Sequence, residues 1–157
     1  MRRTLRFVFV SAVLVTAAAP GALLAQPKPL QTQETSVQGV NAELESAVVH
    51  EGVLTVKLRF RNTGAKKVEV DVIDHPSDID KYYVVAGKTK LLPLRDSEKV
   101  PLMNALDPAG LIRRDVQPNS SYLLWIKFPA PPAATGKIGF YTTLTPPFED
   151  VPLTEVK

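Results

Sequence analysis

Cysteine is absent from these 157 residues, and histidine and tryptophan are scarce, at two and one. Without cysteine there is no disulfide framework, no thiolate metal site and no thiol nucleophile. The only imidazoles, His50 and His75, both stand in turn-like contexts, and neither has a serine in a distinctive setting nearby. A Gly-x-Ser-x-Gly elbow is missing as well, so no activated hydroxyl can be assembled from recognisable parts. Gly87-Lys88-Thr89 imitates the end of a phosphate loop, but Tyr82 occupies the position where its first glycine belongs, and no helix follows. Sustained 3.6-residue periodicity is also lacking, and 14 prolines punctuate the chain. Beyond the N-terminal segment this excludes helices of more than two turns, with residues 101–106 the one exception. The expectation is a protein that is not an enzyme and carries no cofactor.

The formal charge of +3 tells less than it suggests, because Arg2, Arg3 and Arg6 account for the whole excess. They precede the uncharged run Phe7–Ala19, and the two together have the layout of a secretory signal peptide. Residues 1–25 are read as that peptide, with cleavage after Ala25. The competing reading, a retained anchor over Phe7–Ala25, is opposed by Pro20-Gly21, which breaks such a helix. The mature chain is formally neutral, which gives no argument for nucleic acid or an anionic membrane as partner and none for stable membrane insertion. A periplasmic or secreted location is expected. The roughly 130 residues that remain suffice for one core without staples.

Gln26–Ser36 is polar and carries Pro27 and Pro29, so residues 26–36 read as a disordered linker before a folded domain at 37–157. Val40, Ala42 and Leu44 alternate with polar residues, and Leu54, Val56, Leu58 and Phe60 alternate with Thr55, Lys57, Arg59 and Arg61. Period two means strands with one face inward. After Asn62-Thr63-Gly64 the alternation resumes at Val68, Val70 and Val72, which predicts a hairpin setting Arg59 and Arg61 against Glu69 and Asp71. Tyr82–Val85 and Leu91–Leu94 predict a second hairpin through Ala86-Gly87-Lys88, and Leu111–Val116 a short strand. Near the end, Leu124, Ile126 and Phe128 should line the core from a central strand, with Ile138 and Phe140 pairing beside it. Pro146, Pro147 and Pro152 confine the last segment to an edge, where Phe148 would plug the core. Short strands at regular spacing point to an all-β antiparallel sandwich of about seven or eight strands.

The densest set of potential metal ligands is Asp74, His75, Asp78 and Asp80. Oxygen-rich loops hold Ca²⁺, and His with carboxylates holds transition ions, but Ile79 and Val85 stand where a calcium loop needs glycine and glutamate. Glu149 and Asp150 are adjacent carboxylates that a regular strand would point to opposite faces, away from any common ligand. The loops Asp74–Lys81 and Asp96–Gly110 could sit together at one end of the domain, with Tyr82, Tyr83 and Met103 as contact or core residues.

Tyr122–Lys127 followed by Phe128-Pro129-Ala130-Pro131-Pro132, and later Pro146-Pro147-Phe148-Glu149-Asp150-Val151-Pro152-Leu153, resemble a small exported immunoglobulin-like β-sandwich domain of bacteria. The Asn62-Thr63-Gly64 turn, Tyr82-Tyr83-Val84-Val85 and Arg95-Asp96-Ser97-Glu98 resemble the same family's earlier portion, so the likeness covers about residues 37 to 155. That domain also occurs ahead of peptidoglycan-binding OmpA-like domains in envelope proteins, but the sequence here shows no OmpA-like segment. The resemblance implies no catalytic residue. Neutral charge and the lack of a catalytic constellation lead to the expectation of an exported module that binds or scaffolds another cell-envelope component, with a metal- or small-ligand-binding protein using the Asp74–Asp80 loop as the alternative and a hydrolase as a third reading.

Overall fold

The computed structural model describes residues 28–156, so the segment 1–25 read as a signal peptide lies outside the described residues. Eleven strands run in chain order: β1 (Gln31–Glu34), β2 (Val40–His50), β3 (Val53–Asn62), β4 (Val68–Ile73), β5 (Tyr83–Ala86), β6 (Thr89–Leu91), β7 (Ile112–Val116), β8 (Ser121–Pro129), β9 (Lys137–Tyr141), β10 (Phe148–Pro152) and β11 (Thr154–Val156). The excess over the expected seven or eight comes from pieces of three and four residues such as β1, β6 and β11. One sheet has the order β1-β2-β3-β8 with β11 beside β2, a second β10-β9-β5-β6, and a third pairs β4 with β7. All pairings are antiparallel except β11 with β2.

The alternation along β2 and β3 does what its period requires, burying Val40, Ala42, Leu44, Leu54, Val56, Leu58 and Phe60. Their connection needs two consecutive left-handed residues, supplied by Glu51 (φ 49°) and Gly52 (φ 77°). β1 falls inside the segment read as a disordered linker. Its backbone pairs with Asn41–Leu44, and Gln31 and Gln33 donate side-chain amide bonds to the carbonyls of Glu149 and Pro147. Proline and polar composition therefore marked an edge strand that ties two sheets together.

The expected hairpin of β3 with β4 does not form. Both edges of β3 are taken by long ladders to β2 and β8, and β4 pairs with β7 instead. Arg59 and Arg61 accordingly meet Glu45 and Glu43 of β2. β9 likewise does not lie beside β8. It pairs with β5 and β10 in the facing sheet, and Phe128 of β8 meets Phe140 of β9 edge to face at 6.2 Å across the shared core.

β8 is thus the end strand of its sheet rather than a central one, and the long segment after β6 covers its free edge. Leu94 N donates to Lys127 O, Lys127 N donates to Leu102 O, and Trp125 N donates to the Asn104 side-chain oxygen at 2.7 Å. Pro93, Pro101 and Pro108 keep this cover from becoming a regular strand. Met103 is buried within it, bridging to Ile126, and residues 101–106 hold no helix. The described helical structure is a 3₁₀ helix at Pro76–Lys81.

Tyr82 is core, as one of its two readings allowed: it is fully buried, with its hydroxyl donating to Val72 O and 3.1 Å from Thr143 Oγ1. Burial pushes its phenol well above the ordinary tyrosine value. An unfolded phenol titrates near pH 10, so a raised folded value leaves the stabilisation complete below about pH 10 and removes it as the pH rises further. Tyr82→Phe is expected to cost about 1–2 kcal/mol at neutral pH and to flatten part of the alkaline decline in the urea midpoint. An unchanged alkaline decline in that variant would contradict the assignment.

Candidate functional site

In the four-stranded sheet, Val84, Ala86, Ile138, Phe140, Phe148 and Val151 are buried on the inner face. Strand alternation therefore turns Tyr83 and Val85 of β5, Lys90 of β6, and Lys137, Gly139 and Tyr141 of β9 to the outer face. Tyr83 and Tyr141 are register partners, and their rings stack at 4.6 Å and 6°. The Lys90 ammonium sits over the Tyr83 ring, 3.9 Å from its centroid, and the Tyr141 hydroxyl donates to Glu149 Oε1 at 2.9 Å. Each of the four strands contributes one member of the row Lys90, Tyr83, Tyr141, Glu149. The bond to the Glu149 carboxylate raises the Tyr141 phenol, which stays neutral and a donor.

Alongside this row, at the neighbouring register pair Val85–Gly139, lies a cleft of about 190 Å³ lined by Val85, Gly87, Lys137, Ile138, Gly139, Glu149 and Asp150. Its shape comes from a bulge. Phe148 pairs with Phe140 and Val151 with Ile138, so two residues of β10 oppose Gly139 alone. Asp150 adopts φ 53°, and Glu149 and Asp150 are both exposed. The expectation that these neighbours point to opposite faces is corrected here, because the bulge breaks the alternation and both carboxylates reach one cleft. Gln31 pins the bulge through its bond to Glu149 O. Lys137 Nζ lies 3.6 Å from Asp150 Oδ1, which places a cation beside the carboxylates. A signal for this was present in the sequence: Phe148 and Val151 are three apart, and a regular strand cannot bury both.

Of the Asp74–Asp80 residues, His75 and Asp78 are joined by a hydrogen bond, and the three carboxylates are engaged in ion pairs. Asp74 pairs with Arg113 at 2.7 Å, Asp80 with Arg95 at 2.7 Å, and Asp78 with Lys81 at 2.8 Å. His75 caps the 3₁₀ helix, its ring nitrogen accepting from Ser77 N while its backbone N–H donates to the Asp78 carboxylate. The Lys81 bond, above all, lowers the Asp78 carboxyl. Among the described residues no group of three or more His, Cys, Asp or Glu is placed to hold a metal ion. The Asp80–Arg95 pair joins this loop to the edge cover of β8.

Comparison with protein-family models, with curated proteins and with solved structures finds no match. Among the described residues no helix is long and apolar enough to cross a membrane.

Proposed function

We propose that this chain is an exported, non-enzymatic module, an immunoglobulin-like β-sandwich, that binds another cell-envelope component through the outer face of its four-stranded sheet. The observation that carries the reading is the Lys90–Tyr83–Tyr141–Glu149 row, a pre-ordered array with exposed charged ends and half-buried rings. Tyrosines held rigid on a sheet give large contact area at little entropic cost, which suits recognition more than stability. Export rests on the N-terminal layout of charge and apolar residues, and the neutral mature chain fits a partner that is neither nucleic acid nor anionic lipid. The sandwich reading is supported by two large antiparallel sheets sharing one core. Retention on isolated cell envelopes, with and without the two rings, is the test.

A further inference from the structure

The cleft at Gly139 carries a more specific inference, which rests on the reading that this face is the recognition face. We propose that the cleft takes one ring of a neutral saccharide. Its chemistry is mixed over a short distance: Glu149 and Asp150 accept, Lys137 donates, and Val85 supplies an apolar wall, while the Tyr141 hydroxyl is engaged in holding Glu149. The two carboxylates disfavour an anion. Lys137 offsets one of them and no third carboxylate joins, which disfavours a bare cation. What remains is an uncharged ligand whose hydroxyls donate to carboxylates and accept from an ammonium, and whose C–H face lies on an apolar surface. A pyranose has that pattern.

Two features of the backbone open the space. A Cβ built on Gly139 would lie 3.1 Å from Tyr141 Cε2 and 3.2 Å from Glu149 Oε2, so the missing side chain lets the rim residues fold over the floor. Asp150 holds a left-handed conformation that is uncommon for a residue with a side chain, and the bulge uses it to aim a second carboxylate at the same cleft. The Gln31 bond to the bulge carbonyl fixes that aim from the other sheet.

The test is titration of the ¹⁵N-labelled protein with glucose, maltose and N-acetylglucosamine, followed by amide shifts. At least one sugar should shift the amides of residues 137–139 and 149–150 saturably, with a dissociation constant of about 1–10 mM, and glucose 6-phosphate should bind more weakly. Glu149→Gln, which keeps the shape and removes the charge, should weaken binding about tenfold. Gly139→Ala, which fills the floor, should abolish it, and Glu149→Gln keeps the test valid if that variant folds poorly. Absence of saturable shifts at these residues, or equal shifts over the whole surface, would overturn the saccharide inference. Ring-dependent retention on envelopes would survive that result, so the two readings fail separately.

Discussion

Replacing Phe148 by alanine is expected to lower the free energy of unfolding by about 3–5 kcal/mol, as removal of a fully buried aromatic ring does. The ring is 0% exposed and lies 6.2 Å from Phe140, which in turn meets Phe128 of the opposite sheet. Three rings thus span the core from β10 to β8, and Phe148 is the outermost. It sits on an edge strand, between Pro146-Pro147 and the bulge, where little else can collapse into the space it vacates. The variant should show a lower guanidinium midpoint with an unchanged slope. A loss below about 1 kcal/mol would mean that the end of the core is not closed by this ring.

Asn62→Ala should be the next most costly change, at about 2–4 kcal/mol, because it removes three side-chain bonds to the backbone, of which the one to Val116 O is buried. Asn62 is the only buried polar residue among the described residues, at 0% exposure. Its amide donates to Lys66 O at 2.7 Å and to Val116 O at 2.9 Å, and its oxygen accepts from Gly64 N at 2.9 Å. One side chain therefore holds the end of β3, the crossing to β4 and the end of β7. Asn62→Asp keeps the acceptor but loses both donated bonds, so it should not restore stability. Equal midpoints for the parent and Asn62→Ala would show that the crossing is held by other means.

The strands were legible where one face is dry and the other wet. The alternations at 40–44 and 54–60 are inward positions of β2 and β3, and the buried Leu124, Ile126 and Phe128 follow the same rule. Pairing was less legible, because period two says which way a residue points and not which strand lies beside it. Hence β4 was expected on β3 and β9 on β8. In the structure both edges of β3 are filled by β2 and β8, and β9 lies between β10 and β5 in the facing sheet. Of the candidate site's two tyrosines, Tyr83 was legible as a contact or core residue, and Tyr141 carried no signal in the sequence. Tyr82 and Met103 are core, whereas Tyr83 stacks on Tyr141 at the surface. Regular alternation separates Glu149 from Asp150, and the bulge breaks that alternation. The Asp74–Asp80 loop drew notice through composition alone, and its charges serve ion pairs and a helix cap.

The measurement that bears most directly on the binding face is sedimentation of the purified protein with isolated cell envelopes, comparing Tyr83→Ala/Tyr141→Ala with Lys57→Ala. Lys57 is exposed on the outer face of the other large sheet, opposite Trp125 in register, and reports on that surface. Circular dichroism would establish that both variants remain folded, since a stacked pair contributes only about 0.5–1.5 kcal/mol beyond its buried area. Loss of the rings should reduce envelope binding at least about tenfold, the effect of losing about 1.4 kcal/mol of contact, while Lys57→Ala binds as the parent does. Undiminished binding by the double tyrosine variant, or loss in Lys57→Ala alone, would contradict recognition through the four-stranded sheet.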